Sequence, residues 1–322
     1  METREFEGLI KVLKQLNRRQ CARLCEELGH LAAQDRASIT IQSLVTPCSA
    51  CPHCGSCDLY RHGWVRSLQR YLCKACERTF SVLTGTPLSN LHHKDKWLKY
   101  AQSMLRSETV RQAAVTAGVH RNTSFRWRHR ILALAKGDRS QHLHGITEAD
   151  ETYLLESEKG SRHMERKARK RGGSATKRGI SDEQVCVLVA RDRTGQTLDF
   201  VTGKGPVTKA QLRDCLPPVL DKDSLLVSDG NPTYQYFAQE IAITHEAVNL
   251  SAGVRIKGAY HVQNVNAYHS RLKNWLNHFH GVATKYLPNY LGWRRGIDTR
   301  RLNTPESLLR AAIGIFPHSS MT

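Results

Sequence analysis

Four cysteines fall into two pairs, each with the C-x-x-C spacing that turns two thiolates toward one metal ion. Cys51 pairs with Cys54 and Cys73 with Cys76, and residues 55–72 separate the two pairs. Spacers of about 15 to 20 residues are typical of four-cysteine zinc sites. Four protein sulfurs would close the coordination shell, whereas a catalytic zinc keeps one position open. The spacing therefore predicts a structural Zn²⁺ site.

Cys48 and Cys57 leave other pairings open, because together with Cys51 and Cys54 they recur every three residues. We treat Cys48 and Cys57 as spectators. A single C-x-x-C pair would also fit redox chemistry, but two pairs at this separation favour a metal ion.

A second chemical signal is a pair of aspartates in or beside apolar, strand-like segments. Asp150 lies within residues 146–154, and Asp229 ends the apolar run at residues 225–228 and is followed directly by glycine. An open α/β sheet presents its site residues at the carboxyl ends of strands. Burying a carboxylate there is costly unless a cation pairs with it. The two aspartates therefore predict a two-metal site for Mg²⁺ or Mn²⁺, which prefer oxygen ligands.

The segments around these residues indicate how the chain is organised. Residues 1–45 have apolar side chains at helical spacing, and short β-prone stretches surround the cysteines within residues 46–82. Across residues 144–300, β-prone runs alternate with helical segments, which is typical of an α/β domain. A strongly basic stretch at residues 159–180 is expected to be an insertion between the first two strands of this domain. Residues 301–322 are expected to form a C-terminal tail.

A helix-turn-helix is predicted within residues 90–136. Small apolar residues mark one face of a first helix, Gly118 supplies the turn, and Asn122 is expected to cap a second, basic helix. An ordinary αα-hairpin with a basic exposed face is the alternative. The second helix offers donors for phosphates and base edges, namely Arg121, Thr123, Ser124, Arg126, Arg128 and Arg130.

The charge balance indicates a polyanionic partner. The chain has 48 Lys and Arg against 29 Asp and Glu, a formal net charge of +19, and each phosphate that a protein neutralises releases counterions. A membrane is not expected as the partner, because no apolar run approaches the ~20 residues that cross a bilayer. The N-terminus does not have the pattern of an export signal, so the protein is expected in the cytoplasm, associated with the nucleoid.

Taken together, these features resemble the zinc-ribbon insertion-sequence transposases of the ISXO type. Besides the cysteine pairs, the resemblance rests on the sequences at residues 125–130, 150–153, 228–230, 261–266 and 270–273. It implies a multidomain chain in which a zinc ribbon and a helix-turn-helix precede a ribonuclease H-like α/β domain with a mixed sheet. It also implies a homo-oligomer that cleaves and joins double-stranded DNA, with terminal inverted repeats and target DNA as its partners.

The resemblance also assigns a third metal ligand. In most of the family a Glu lies seven residues before a Lys or Arg; here Asn266 lies seven residues before Lys273. We assign Asn266 as the third ligand beside Asp150 and Asp229, because an amide oxygen can bind a hard cation although it supplies less charge than a carboxylate. Lys273 would lie about two helical turns further on, on the same face, and hold a DNA phosphate.

Three other residues compete for the third position. Glu246 is the serious competitor because it is a carboxylate. Glu151 points to the opposite strand face from Asp150, and His261 fits an orienting or phosphate-contacting role better. The departure from Glu also leaves open a domesticated DNA-binding regulator without catalytic activity. A zinc-ribbon nuclease acting on RNA is the weaker enzymatic alternative.

Overall fold

The computed structural model describes residues 3–13, 15–43, 50–65, 68–164, 166–167, 169, 172–248 and 256–316. Two helices, α1 (Thr3–Leu13) and α2 (Arg18–Ser43), occupy most of the N-terminal segment for which the sequence predicts helices. In α1 a glutamate lies in the first turn and a lysine in the last, which matches the helix dipole. Cys48 lies outside the described residues.

The cysteine-containing segment forms a small antiparallel sheet of β1 (Leu59–Val65), β2 (Leu68–Cys73) and β3 (Thr79–Ser81). The register of β1 against β2 shifts between Arg61 and Trp64. Gly63 lies at this irregularity with a φ of 71°, which residues with a Cβ rarely adopt. The sheet is too small to bury much apolar surface, and Cys51 and Cys73 form part of its core.

Three helices follow, α3 (Trp97–Leu105), α4 (Val110–Ala117) and α5 (Arg121–Ala135). Gly118 ends α4 with a φ of 61°, as predicted for a tight turn. The predicted cap of the second helix is wrong. His120 is the N-cap of α5, and its Nδ1 accepts the N–H of Asn122 at 3.2 Å. The helix thus begins one residue before Asn122, which lies within its first turn.

The second half of the chain contains a mixed sheet with the strand order β6-β5-β4-β7-β8. Its strands are β4 (Ile146–Leu155), β5 (Gln184–Asp192), β6 (Thr197–Lys204), β7 (Leu225–Asp229) and β8 (Thr244–Val248). β4 is parallel to β7 and β7 to β8, whereas β5 is antiparallel to both of its neighbours. The predicted mixed-sheet α/β domain is therefore confirmed. β8 was not predicted, because it is short and mostly polar.

Helices pack on both faces of this sheet. They are α6 (Lys209–Cys215) and α7 (Pro232–Glu240) on one face and α8 (Gln263–Asn277) on the other, followed by α9 (Leu287–Asp298). The side chains of β5 alternate accordingly: Val187 and Val189 belong to the core under α8, and Leu188 to the core under α6 and α7. Among the residues that the structure describes, no helix is both long and apolar enough to span a membrane.

The C-terminal segment corrects one expectation. Residues 301–316 are not a tail, because α10 (Pro305–Ala312) packs against α3 and α5. Leu308 and Leu309 in α10 are fully buried. Their spacing with the alanines at the end of the helix gives α10 an apolar face that the helices of the N-terminal half cover. Residues 317–322 lie outside the described ranges.

The basic insertion falls between β4 and β5, and part of its charge is paired. Arg166 Nε is 3.4 Å from Glu158 Oε2, and Arg169 Nη2 is 3.7 Å from Glu183 Oε1. These glutamates lie close to the strands that flank the insertion. The base of the insertion is therefore held by ion pairs; residues 165, 168, 170 and 171 are outside the described part.

Candidate functional site

Asp150 and Asp229 occupy adjacent positions on neighbouring parallel strands. The register pairs Ala149 of β4 with Ser228 of β7, so the next residue on each strand is an aspartate. Neighbouring strands lie about 4.8 Å apart, which places the two carboxylates side by side. Asp229 is the last residue of β7, and its Oδ1 accepts the N–H of Asn231 at 3.1 Å as the chain turns into α7. Both aspartates are half-buried.

This arrangement concentrates negative charge. Burial raises the pKa of Asp150 to about 7, and the carboxylates of Glu151 and Asp229 contribute to the rise, while Lys273 opposes it. Burial and the charge of Asp229 also raise the pKa of Glu151. Carboxylates that resist ionisation for these reasons are stabilised in their charged form by a divalent cation.

α8 lies across the face of the sheet that carries Asp150, and its polar residues Asn266, His269 and Lys273 recur at one-turn intervals. His269 Nδ1 is 3.6 Å from Asp150 Oδ2. Burial, and to a lesser extent Lys273, lowers the pKa of His269 to about 4, so this imidazole is neutral near pH 7. Asn266 is half-buried and Lys273 is exposed. The face of α8 that carries these three residues is thus directed at Asp150.

Of the competing carboxylates, Glu246 has another partner and Glu151 belongs to another face of the sheet. Glu246 is on β8, with β7 between it and Asp150, and its Oε2 is 2.8 Å from Lys257 Nζ. Glu151 follows Asp150 and therefore points to the sheet face that α6 and α7 cover. Of these two residues and Asn266, only Asn266 shares a helix face with the groups that approach Asp150.

The four predicted metal-binding cysteines lie together. Cys51 Sγ is 3.7 Å from Cys76 Sγ, and Cys54 Sγ is 3.6 Å from Cys73 Sγ. Four sulfurs placed at about 2.3 Å around a tetrahedral zinc would be roughly 3.8 Å apart. Within the described ranges, this is the only group of three or more Cys, His, Asp or Glu whose ligand atoms all lie within 4.8 Å of one another. Cys57 is not part of the group, and the cluster could form a zinc site.

Comparison with known proteins gives the family. A family model described as an ISXO2-like transposase domain matches residues 142–294, the range that contains both aspartates and α8. An uncharacterized protein in transposable element ISH50 of Halobacterium salinarum is 30% identical over 254 residues, which cover 78% of this chain and 84% of that protein. The chain belongs to the ISXO2-like transposase family. The resemblance drawn from the sequence is confirmed.

Two solved structures contain chains distantly similar to this transposase. One is the simian T-cell lymphotropic virus intasome in complex with PP2A regulatory subunit B56 gamma, with 13% identity, a TM-score of 0.28, and coverage of 60% of this chain and 66% of that chain. The other is a pre-cleavage Mos1 transpososome, with 15% identity, a TM-score of 0.22, and coverage of 66% and 76%. Scores this low establish no shared fold, so the fold of this transposase is defined by its own strand order and register.

One fully buried carboxylate beside this site was not singled out from the sequence. Glu148 lies two residues before Asp150 on the same face of β4 and is 0% exposed. Its Oε1 is 2.9 Å from Arg193 Nη1 and 3.4 Å from His261 Nδ1. His261, a rival for the third ligand, is therefore engaged with Glu148. The period of two that selects Asp150 also selects Glu148, so the signal is present in the sequence.

The six residues predicted to contact DNA divide into two groups. Arg121, Arg126 and Arg130 are exposed and Thr123 is half-buried, so these four are accessible along α5. The prediction is wrong for Ser124 and Arg128, which are fully buried.

Packing explains why these two residues point inward. Ser124 Oγ donates to the carbonyl of Val110 at 2.8 Å, which ties α5 to α4. Arg128 donates to the carbonyl of Glu108 at 2.7 Å, and its guanidinium carbon is 5.3 Å from the ring centroid of Trp293 in α9. Both residues lie on the inner face of α5, four residues apart, and Arg128 joins the helical unit to the transposase domain.

Proposed function

We propose that this chain is an active transposase that binds the terminal inverted repeats of an insertion sequence and catalyses metal-dependent DNA cleavage and strand transfer. The observation that carries the proposal is the juxtaposition of Asp150 and Asp229 under the polar face of α8. This juxtaposition lies inside the range that matches the ISXO2-like transposase domain. Because transposition joins two element ends, we infer that the protein acts as a homo-oligomer on DNA, at the nucleoid.

The proposal assigns a role to each part of the chain. Residues 46–82 form a zinc ribbon and residues 90–136 a helix-turn-helix, and together they read the element ends. Residues 144–300 form the catalytic domain, whose mixed sheet with helices on both faces supports a ribonuclease H-like fold. α2 and α10 pack against the helical unit.

The donor set at the paired aspartates fits Mg²⁺ or Mn²⁺. Asp150 and Asp229 offer carboxylate oxygens, and Asn266 offers an amide oxygen, all of which are hard ligands. Burial, and to a lesser extent the charges of Glu151 and Asp229, raise the pKa of Asp150, so a bound cation would stabilise its charged form. Asp150, Asp229 and Asn266 would therefore hold the ions, with the two aspartates supplying the charge.

The chemistry is phosphoryl transfer in two steps. Divalent cations, when bound, stabilise the charge that develops on the attacking and leaving oxygens. Lys273 holds an oxygen of the scissile phosphate and thereby orients it. In the first step water forms a bond to phosphorus and the bond to the 3′-oxygen of the element end breaks. In the second step the freed 3′-hydroxyl attacks a target phosphate and displaces a 3′-oxygen there. Neither step needs a covalent protein intermediate.

An end-cleavage and strand-transfer assay on labelled inverted repeats tests the function, with Mg²⁺ or Mn²⁺ and with a chelator. Nicking that requires the metal supports the transposase. The neutral Asn266 in place of Glu favours a second candidate, a DNA-binding regulator without catalysis. A protein that binds the repeats specifically but never cleaves them, with either metal, would be that regulator.

The zinc assignment predicts the effect of Cys73→Ser. Structural zinc contributes about 10 to 16 kcal/mol to folding in zinc-finger peptides, so loss of one sulfur should release the ion and unfold β1–β3. Metal analysis should show one equivalent of zinc in the wild type and much less in the variant. Cys57→Ser is the matched control, because Cys57 is an exposed cysteine outside the cluster. Full zinc content in Cys73→Ser would contradict the assignment of this cluster as a zinc site.

The DNA-reading role of α5 predicts opposite effects for two arginines. Arg126→Ala should weaken binding to the repeats and lower the slope of log affinity against log salt by about 0.9, one phosphate contact, without changing stability. Arg128→Ala should leave a cavity beside Trp293 and cost about 2 to 4 kcal/mol of unfolding free energy, without changing that slope. Fluorescence anisotropy and thermal melts separate the two. If the salt slope of DNA binding is unchanged in Arg126→Ala, α4 and α5 are an ordinary αα-hairpin and do not contact DNA through this residue.

A further inference from the structure

A distant carboxylate caps most of the first turn of α8. Its N-cap residue, Val262, provides no side-chain hydrogen bond. Glu148 of β4 accepts the backbone N–H groups of Asn264 at 2.8 Å and Val265 at 3.0 Å, and the Asn264 side-chain amide at 2.9 Å. These N–H groups belong to the first helical turn, which has no intrahelical partners for them and carries a partial positive charge. In the same turn the N–H of Gln263 donates to Nδ1 of His261 at 3.3 Å.

The carboxylate at this helix end is itself held in place. Arg193, at the end of β5, lies 2.9 Å from Glu148 through Nη1 and donates to Nε2 of His261 at 2.7 Å. Its Nη2 donates to the carbonyl of Ala259 at 2.8 Å. The segment that leads into α8 is therefore bound to the same charge cluster as the first turn of the helix.

The other end of α8 meets a cation from the chain that leaves β4. Lys159 Nζ donates to the carbonyls of Phe279, His280 and Gly281 at 3.2, 2.9 and 2.8 Å. These carbonyls follow directly on the end of α8 at Asn277. A positive charge at a helix C-terminus is favourable for the same electrostatic reason as a negative charge at the N-terminus.

We propose that β4 and its exit clamp α8 at both ends, through Glu148 and Lys159, and that this clamp sets the position of Asn266, His269 and Lys273 relative to Asp150. The inference rests on the proposed function. Glu148 lies on the strand that carries Asp150, and Lys159 lies in the segment that directly follows this strand. The position of α8 and the position of Asp150 are therefore set by one continuous stretch of chain. Glu148 and Lys159 are positioning residues, because they act on the site through α8.

The clamp makes a prediction that simple electrostatics does not. Glu148→Gln removes a negative charge and Lys159→Met a positive one. If the two residues acted only through their charge, the first change would weaken cation binding and the second would strengthen it. If they position α8, both should weaken Mn²⁺ binding to the zinc-loaded, full-length protein by about tenfold or more, as for other residues that orient metal ligands. Titration of the Mn²⁺ electron paramagnetic resonance signal measures the affinity.

Two variants serve as controls. Asp138→Asn also alters a buried carboxylate, which is paired with Arg301 at 3.5 Å and takes no part in the clamp contacts. Lys209→Met alters an exposed lysine paired with Glu240 on the other face of the sheet. Both should retain wild-type Mn²⁺ affinity even if their melting temperatures fall. Lys159 is exposed, so its variant should fold even if Glu148→Gln does not, and it decides the question alone in that case.

Hydrogen–deuterium exchange of α8 tests the clamp without any metal. Amides at the start of α8 should lose protection in Glu148→Gln, and those at its end in Lys159→Met. Unchanged protection in both variants, or Mn²⁺ affinities that move in opposite directions, would overturn the clamp. If the wild type neither binds Mn²⁺ nor cleaves DNA, the proposed function fails instead, and the exchange data still decide whether α8 is clamped.

Discussion

Asp229→Asn and Asp150→Asn should each reduce both DNA cleavage and strand transfer by about a thousandfold or more. The two aspartates supply the anionic charge of the site, and a bound metal contributes several kcal/mol to transition-state stabilisation, with ~1.4 kcal/mol for each factor of ten. Asparagine keeps the shape and an oxygen ligand but removes the charge. Cleavage and joining of labelled element ends, measured in single turnover, would show the loss.

Binding to the element ends should survive these substitutions. Asp150 and Asp229 lie on the sheet of the transposase domain, whereas the accessible arginines lie on α5. Asp223→Asn is a matched control, because Asp223 is an exposed aspartate just before β7. It should cleave like the wild type. Normal cleavage by either site variant would exclude that residue from catalysis.

Both aspartates could be predicted as site residues because each is a charged residue within or directly after an apolar, strand-like run. A carboxylate inside or directly after an apolar run is conspicuous, and the order of strands along the chain already places it at a sheet. Their adjacency could not be predicted, since it depends on β7 pairing in parallel with β4, which is distant in the sequence. β8 adds a neighbour on the far side of β7, and its polar sequence gives no strand pattern.

Predictions for α5 were limited by what periodicity can resolve. A basic helix with several arginines suggests that all of them face DNA, and Arg121 and Arg126 are indeed exposed. Arg128 instead packs on Trp293, far along the chain. Because α9 of the transposase domain covers part of α5, the face of α5 that carries Arg128 is not exposed to solvent. The expectation of a C-terminal tail was wrong for the same reason. The apolar face of α10 is buried because α10 packs against α3 and α5, and its short helical pattern alone does not indicate that contact.

The clamp on α8 shows a similar limit. Glu148 bonds residues 116 and 117 positions away, and Lys159 bonds residues 120 to 122 positions away. A local pattern indicates that Glu148 shares a face with Asp150, but it cannot indicate that a helix N-terminus lies above it. Residues that orient a site are therefore harder to find from sequence than residues that interrupt an apolar strand.

The identity of the third ligand leads to a second large expected effect. Asn266→Ala removes the proposed amide oxygen and should reduce cleavage by at least about tenfold, or ~1.4 kcal/mol. Glu246→Gln should stay near wild type, because Glu246, on β8, is already paired with the exposed Lys257 and not with the aspartates. Metal-dependent cleavage by the two variants, measured side by side, discriminates between them.

Asn266→Asp and Lys273→Ala sharpen this comparison. Aspartate keeps an oxygen at nearly the same reach and adds charge, so Asn266→Asp should retain activity and bind Mn²⁺ more tightly than the wild type, since hard cations favour carboxylates. Lys273→Ala should be impaired, and more severely as salt rises, because a phosphate-holding lysine competes with screening ions. A fully active Asn266→Ala together with an inactive Glu246→Gln would move the third ligand to β8. In that case α8 would orient DNA through Lys273 without contributing a ligand, and tighter Mn²⁺ binding by Asn266→Asp should then be absent.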